Sequence, residues 1–315
     1  MPEEAPAVTD DGPVLVVGGT GMLGGQVVTE LLSRGKRVRA LVRPRSNAAL
    51  LEQAGAEIAR GDMMEPESLA RAMDGADAVV TTAAGYTRHS KGDTAEIDTT
   101  GNRNLVDAAY QVGIRRFVLT SILTCDQTPQ VPHFWHKKLA EDRLEEKGVP
   151  FVSLRPGGFL DALTRMGGDP IAKGRLMWIG SPTIPLTFVL TWDLAGYLAD
   201  AVDVPGVEGQ RIDIGWDRPV SMRDVAQISG RLLGREIRVR TVPAGVVSGA
   251  STVIGRFNPM VRDMGAMMRW FQTGRYVADP ALQRAAFGEV PTAEDAIARF
   301  IRRLGHTVTS TPPTG

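Results

Sequence analysis

Near its start the chain contains the stretch Val14-Leu15-Val16-Val17-Gly18-Gly19-Thr20-Gly21-Met22-Leu23-Gly24. Four aliphatic residues followed by glycines predict a buried strand that ends in a tight turn, because glycine adopts backbone conformations that other residues avoid. Beyond the turn, Leu23, Val27 and Leu31 recur at every fourth position, which predicts one apolar face of a helix. A strand, a glycine turn and an amphipathic helix in this order are typical of a βαβ unit.

The glycine turn has the composition of a phosphate-binding loop. Its glycines fit two spacings, one that begins at Gly18 and one that begins at Gly19, and both continue through Gly21 and Gly24. Either spacing lets backbone N–H groups approach a pyrophosphate at the N-terminus of the following helix. A purely structural turn is the alternative. We predict that the dinucleotide is bound by Gly18, Gly19, Thr20, Gly21, Met22, Leu23 and Gly24.

The end of the second predicted strand, Val38 to Val42, distinguishes between two dinucleotides. A site for NAD(H) normally places an acidic residue there, about 20 residues beyond the glycine turn, to bind the ribose 2′-hydroxyl. This chain has Arg43 instead, with Arg45 and Ser46 close by. Guanidinium groups and a hydroxyl suit a 2′-phosphate, so NADP(H) is predicted over NAD(H). A solvated charged loop is the alternative interpretation.

Further segments carry a family resemblance. They are Leu41-Val42-Arg43, Arg60-Gly61-Asp62-Met63, His133-Phe134-Trp135-His136-Lys137 and Leu154-Arg155-Pro156-Gly157-Gly158-Phe159. With the glycine turn, they resemble the NmrA-like branch of the atypical short-chain dehydrogenases/reductases, over most of Val14 to Gly158. The resemblance implies that Asp62 and Met63 lie against the adenine and that Thr82, Ala83 and Ala84 run along the cofactor. It covers both enzymes and redox sensors.

Short aliphatic strands alternate with helical segments from Val14 to about Leu154, which predicts an α/β fold. We expect a doubly wound, mostly parallel Rossmann sheet with a smaller C-terminal substrate-binding region. The predicted domains are a disordered tail at 1–12, the NAD(P)-binding domain at 13–158, the substrate-binding region at 159–305, interleaved with the sheet, and a second tail at 306–315. The predicted strands are Val14 to Val17, Val38 to Val42, Glu57 to Ala59, Ala78 to Thr82, Phe117 to Ser121 and Phe151 to Leu154.

At the reacting end, the resemblance places Lys137 at the lysine position that holds the nicotinamide ribose, with Lys138 as the competing candidate. Carbonyl-reducing relatives have a proton-donating Tyr four residues earlier, where this chain has His133, and no tyrosine here lies four residues before a lysine. His133 is therefore a candidate proton donor, with capping or packing as its alternative role. Ser121 is a candidate for binding substrate oxygen, although the resemblance equally allows Thr120 or Ile122 at that position. Pro156 and Gly157 are expected to pass beside the nicotinamide.

Composition argues against several classes of partner. Lys plus Arg and Asp plus Glu both total 36, so there is no overall excess of positive charge for nucleic acid or anionic lipid. Neither a signal peptide nor an apolar run long enough to cross a membrane is seen. The single cysteine, Cys125, fits a reducing cytoplasm. One thiol and four scattered histidines argue against a metal site.

Met260, Met264, Met267, Met268 and Phe271 recur at helical spacing. Such a stripe is either core or the lining of a pocket for a hydrophobic or aromatic substrate. The first hypothesis is an NADPH-dependent oxidoreductase that reduces a small carbonyl, quinone or conjugated double bond. The alternative is a non-catalytic NADP(H) sensor that binds a protein partner, and the third is a nucleotide-sugar epimerase or dehydratase, which the missing tyrosine disfavours.

Overall fold

In the computed structural model, the described residues are 12–85, 95–166, 168–243 and 259–309. They belong to two compact units. The first comprises residues 1–126, 133–155 and 192–212, and the second comprises 127–132, 156–191 and 213–315. Most of the two predicted tails, residues 1–11 and 310–315, lies outside the described residues, as does Tyr86.

A seven-stranded sheet forms the centre of the first unit. Its strands are β1 (Val14–Val17), β2 (Val38–Val42), β3 (Glu57–Arg60), β4 (Ala78–Thr81), β5 (Arg116–Thr120), β6 (Phe151–Pro156) and, numbered by its place in the chain, β10 (Gln210–Ile214). Their order is β10-β6-β5-β4-β1-β2-β3, and the pairings from β6 through to β3 are parallel. The prediction of a doubly wound, mostly parallel Rossmann sheet is therefore confirmed.

Helices cover this sheet because its strands are apolar on both faces, and β1, β4 and β5 are buried along their whole length. The helices are α1 (Met22–Ser33), α2 (Ala49–Gln53), α3 (Pro66–Met73), α4 (Asn102–Val112), α5 (Pro132–Lys147) and α6 (Thr191–Asp200). A π-helical turn, Ile97–Gly101, leads into α4. On one face of the sheet, Leu15, Val79 and Phe117 form a core with Leu69 of α3 and Leu105 of α4.

The second unit has two small parallel sheets. One pairs β7 (Gly158–Phe159) with β9 (Phe188–Val189), and the other pairs β8 (Arg175–Ile179) with β11 (Arg238–Val242). Its helices are α7 (Met222–Leu233), α8 (Pro259–Phe271), α9 (Ala281–Phe287) and α10 (Ala293–Arg303). Within the segment predicted as a C-terminal tail, the His306 ring lies 2.7 Å from Asp169 and the Thr309 hydroxyl donates to the Leu232 carbonyl.

Among the described residues, no helix combines the length and the apolar character that crossing a bilayer demands. The same part of the chain holds no group of three or more side chains that could ligate a metal ion.

Candidate cofactor site

The glycine turn lies where the order of the strands reverses. β1 is flanked by β2 and β4, so the turn after β1 and the loop after β4 meet at the carboxyl edge of the sheet. Open α/β sheets bind their ligands in the crevice at this point. Gly18 has a φ of +91°, and the Gly21 N–H donates to the Gly18 carbonyl over 2.9 Å. The turn therefore needs glycine at its first position.

Steric contacts distinguish between the two glycine spacings. A Cβ on Gly24 would lie 2.1 Å from the Gly18 carbonyl oxygen, and a Cβ on Gly18 would lie 2.8 Å from Thr82 Oγ1. A Cβ on Gly19 would meet nothing closer than 3.5 Å, an ordinary contact. The spacing Gly18, Gly21, Gly24 is therefore the one that packing requires. Thr20 and Gly21 are exposed, while Met22 and Leu23 are half-buried at the start of α1.

The loop after β4 is held against the turn. The Thr82 N–H donates to the Val17 carbonyl over 2.9 Å, and the Thr82 hydroxyl lies 3.3 Å from the same oxygen. Thr82 and Ala83 are half-buried and Ala84 is exposed. The structure thus brings the predicted loop and the predicted turn into direct contact.

The loop after β2 is closed by a residue that sequence reasoning did not assign to the site. Arg60, at the end of β3, donates from Nη1 to the Ser46 carbonyl over 2.8 Å and to the Arg43 carbonyl over 3.3 Å. The Ser46 N–H also donates to the Arg43 carbonyl over 2.9 Å. Arg43 and Ser46 are half-buried and Arg45 is exposed. The guanidinium groups of Arg43, Arg45 and Arg60 therefore all belong to this loop or bind to it. Together they make a positive environment suited to a phosphate.

Asp62 and Met63 follow β3 and are fixed by hydrogen bonds. Ser68 Oγ accepts from the Asp62 N–H over 2.9 Å, and Asp62 Oδ1 accepts from the Met64 N–H over 2.9 Å. The Met63 carbonyl accepts from Asn104 Nδ2 over 3.0 Å, and the Met63 side chain belongs to the apolar core. The Met63 side chain therefore packs in the core, and Asp62 is the more accessible of the two residues.

Lys137 projects from α5 and is only 5% exposed. Its ammonium donates to the Ala83 carbonyl over 2.9 Å, so it reaches the loop that contacts the glycine turn. Burial lowers the pKa of Lys137, and the nearby charge of Asp98 opposes this shift. Asp98 itself is 2% exposed, and its carboxylate accepts from the Gly85 N–H over 3.3 Å. A buried cation thus lies at the carboxyl edge of the sheet.

Ser121 lies in a buried polar cluster at the ends of β5 and β6. Its hydroxyl is 3.6 Å from the Cys125 sulfur, and the sulfur is 3.8 Å from Glu141 Oε1. Arg155 donates to both oxygens of Glu141, over 2.9 Å and 2.5 Å, and Ser153 donates to Oε1 over 2.6 Å. Ser121 is 2% exposed, and its role in binding substrate oxygen stays a prediction.

The charges of this cluster shift its pKa values. Burial would raise the pKa of Glu141, but hydrogen bonds from Arg155 and Ser153 outweigh it and lower that pKa. Burial, assisted by the Glu141 charge, raises the pKa of Cys125 to about 12. The Cys125 thiol is therefore held in its protonated form at neutral pH, which disfavours it as a nucleophile. The neighbouring hydroxyl of Thr120, the alternative to Ser121, is buried and has no hydrogen-bond partner in the described part of the chain.

The NmrA-like family model matches residues 10–295. The chain belongs to the NmrA-like family. Photosystem II assembly factor Ycf39 from Synechocystis sp. is 30% identical over 284 residues, which cover 90% of this chain and 81% of that protein. NAD(P)H azoreductase from Xenophilus azovorans is 27% identical over 252 residues, 77% of this chain and 81% of the azoreductase. Triphenylmethane reductase from Citrobacter sp., solved with NADP(H), has a TM-score of 0.73 at 20% identity, covering 91% and 99% of the two chains, and so shares the fold.

In this NmrA-like chain, the first turn of α5 carries His133 where carbonyl-reducing relatives have tyrosine. The His133 ring is half-buried and packs edge to face on Phe134, with centroids 4.7 Å apart. Its position is one helical turn before Lys137. Lys138, the competing lysine, is paired with Asp142 over 2.5 Å and points along the helix surface, which leaves Lys137 as the buried ammonium.

Pro156 and Gly157 belong to the second unit of this NmrA-like chain. A Cβ on Gly157 would lie 2.5 Å from the Thr187 carbonyl oxygen, so packing alone requires glycine there. Sequence reasoning did not single out Tyr276, which is 4% exposed and whose hydroxyl donates to the Pro156 carbonyl over 3.4 Å. The Phe271 ring packs on the Tyr276 ring, with centroids 4.7 Å apart.

The methionine stripe lies on α8, whose buried residues are Asp263, Gly265, Ala266 and Trp270. Met260, Met267 and Met268 are half-buried, and Met264 is 41% exposed. The stripe is therefore not the core of the second unit, and its use as the wall of a substrate pocket stays a prediction.

Proposed function

We propose that this chain binds NADP(H) and reduces a small organic acceptor, such as a carbonyl, a quinone or a conjugated double bond. The observation that carries the proposal is the Lys137 ammonium, which is buried beside the loop after β4. An ammonium has three N–H donors, and the described residues offer this one a single acceptor, the Ala83 carbonyl. Burying a charge with unused donors is costly unless a ligand uses them. Ribose hydroxyls at this edge of the sheet would do so.

The other described residues fit the same ligand. The exposed N-terminus of α1, after Gly21, suits the pyrophosphate, since its N–H groups have no side-chain cap. The loop that Arg60 closes suits the 2′-phosphate, through Arg43, Arg45 and Ser46. Asp62 is the candidate for hydrogen bonds at the adenine end, and Thr82, Ala83 and Ala84 would line the middle of the cofactor.

When bound, the nicotinamide would supply the hydride. The role of the protein is then to orient the ring and either to supply the proton or to let it come from water. Because burial lowers the pKa of Lys137, its ammonium is a stronger acid than an exposed lysine and a good hydrogen-bond donor to developing negative charge. His133 is the other candidate proton donor. A quinone or an enone needs the least help, since it can take its proton from water after it accepts hydride.

The second candidate function is an NADP(H) sensor without turnover. It is favoured by the lack of a tyrosine at position 133 and by the similarity to proteins named as assembly factors. In that role the same residues would bind the nucleotide, and the occupied state would be recognised by a protein partner. The cytoplasmic location and the hydrophobic character of the acceptor also remain predictions.

Calorimetric titration with NADPH and NADH tests the shared part of both functions. NADPH oxidation is then followed against quinones, enones, aldehydes and azo dyes. Selective NADPH binding with turnover supports the reductase. Selective binding with no turnover on any acceptor favours the sensor, and absence of nucleotide binding would overturn both.

A further inference from the structure

A groove of about 1130 Å³ lies in the second unit, formed by one face of α7 and by the segment 234–240 that leads into β11. Three of its lining residues are small, namely Ala226, Gly230 and Gly234. A Cβ on Gly230 would lie 3.0 Å from the Arg235 carbonyl oxygen, so the helix and the following segment approach closely there. The two walls of the groove are therefore α7 and the segment that follows it.

The groove is strongly basic. Five arginines and one glutamate line it: Arg223, Arg231, Arg235, Arg238, Arg240 and Glu236. This is an excess of four positive charges, five minus one, in a protein whose acidic and basic residues are equal in number over the whole chain. Glu236 pairs with Arg238 over 3.0 Å, and both side chains are well exposed, so this pair is weak. Arg235 donates to the Ile171 carbonyl, and Arg231 lies 3.9 Å from Glu294, a separation at which the pairing is weak. The groove therefore keeps a net positive charge for an anionic partner.

One wall of the groove is an edge of a strand with which no other described strand pairs. β11 pairs with β8, yet no residue of β8 lines the groove, so the groove follows the opposite edge of β11. The Arg238 N–H and the Val242 carbonyl point to the β8 side, where they bond to Gly174 and Gly180. Because these groups alternate along a parallel strand, the N–H and carbonyl groups of Val239 face the free edge. Among the described strands, none pairs there.

We propose that this groove binds an extended acidic segment of a partner protein, which adds as a strand to the free edge of β11. Arg238 and Arg240 lie two residues apart and so share one face of the strand. Carboxylates two residues apart on an added strand would meet them at the normal spacing between strands, and guanidinium groups bind carboxylates in a bidentate way. Nucleic acids and lipid headgroups would satisfy the charge but leave the main-chain donors and acceptors of the edge unused.

The test uses a fluorescein-labelled peptide of about ten residues in which Glu alternates with Thr, since strands of this length are common. Fluorescence anisotropy measures its binding to the full-length protein. A second peptide has the same sequence with alternate backbone nitrogens methylated, which removes hydrogen bonds and keeps every charge. A third has Lys in place of Glu. The groove variant is Arg238→Glu with Arg240→Glu, and the matched control is Arg284→Glu with Arg302→Glu, two exposed arginines of α9 and α10.

We expect saturable binding of the Glu peptide, weakened at least about tenfold by the groove variant and by N-methylation, and unchanged within about twofold in the control variant. The Lys peptide should not bind. Equal binding of the methylated peptide, or no saturable binding, overturns the proposal. So does stronger binding of duplex DNA or of vesicles containing phosphatidylserine in competition. The methylated peptide is tested on the unaltered protein, so its result does not depend on how a variant folds. No nucleotide is present, so the outcome is independent of NADPH binding.

Discussion

Replacing Lys137 with methionine should separate binding from stability. Methionine has a similar length and no charge, so it fills the same buried space. The substitution removes the bond to the Ala83 carbonyl and the two donors that the proposal assigns to the cofactor. Hydrogen bonds to charged groups contribute about 1.5–3 kcal/mol each. Loss of two at the lower value is about 3 kcal/mol, or roughly a 150-fold rise in Kd.

The stability of the protein without nucleotide should change little. Loss of the bond to Ala83 costs about 1 kcal/mol, while removal of a 5% exposed charge avoids a desolvation penalty of several kcal/mol. Asp98 loses a nearby cation, which offsets part of that gain. We therefore expect Tm to stay within about 2 °C of the original protein, which corresponds to about 1 kcal/mol in a chain of this size.

Calorimetric titration and thermal unfolding without nucleotide are the two assays. Lys138→Met is the matched control, because the same change one residue later removes a pair with Asp142 and a cation–π contact with Trp135 on the outer side of the helix, neither of which involves the loop after β4. Lys137→Met should weaken NADPH and NADH equally, since both have the nicotinamide ribose. An affinity within threefold of the original protein, together with a lower Tm, would refute the reasoning and leave Lys137 as a support for the loop after β4.

Four further predictions concern the cofactor site and the cluster beside it. Gly24→Ala should destabilise the protein by more than about 2 kcal/mol in urea unfolding, because its Cβ would lie 2.1 Å from a carbonyl oxygen, whereas Gly19→Ala should cost less than about 0.5 kcal/mol. Arg60→Ala should raise the Kd for NADPH about tenfold and leave that for NADH unchanged, because it releases the loop proposed to hold the 2′-phosphate. Glu141→Gln should cost about 3 kcal/mol at pH 7 by leaving a buried guanidinium without its carboxylate. Because the folded-state pKa of Glu141 is lowered, this loss should shrink as the pH falls below about 4.3, where the unfolded chain takes up the proton first. Cys125, with a pKa of about 12, should resist iodoacetamide at pH 8 until the protein unfolds.

Each of these has an outcome that contradicts it. Equal costs for the two glycine variants would mean that the turn relaxes easily. An equal loss of NADPH and NADH affinity in Arg60→Ala would place its effect elsewhere than at the 2′-phosphate. A cost of Glu141→Gln that persists at low pH would show that shape, and not charge, stabilises the cluster. Rapid alkylation of native Cys125 would show that its surroundings open.

Strand positions were predictable because apolar, β-branched runs report burial directly. β1 and β2 match their predicted bounds. β5 was predicted from Phe117 to Ser121, and it begins and ends one residue earlier. β6 extends two residues beyond its predicted end at Leu154. The end of a strand depends on how far the neighbouring strand continues the hydrogen-bond ladder. The residues at the end of the strand do not by themselves determine this.

The choice between the two glycine spacings needed the third dimension. The contact that makes Gly18 necessary is with Thr82, which is 64 residues further along the chain. The polar cluster around Glu141 was missed for a similar reason. Its members come from three segments, and neither Ser121 nor Arg155 stands at a periodic distance from Glu141. The basic groove was hidden because equal totals of acidic and basic residues conceal their separation on the surface.

The return of the chain at residues 192–212 limits how this protein can be divided. That segment brings α6 and most of β10 to the first unit, and the carbonyls of Ala201 and Val204, with the Glu208 carboxylate, bind the buried guanidinium of Arg116. A chain shortened at residue 158 would lose these acceptors and would leave β6, an apolar strand, as the open edge of the sheet. Such a fragment should aggregate. A smaller nucleotide-binding module would have to retain residues 192–212, so that the outer strand is kept.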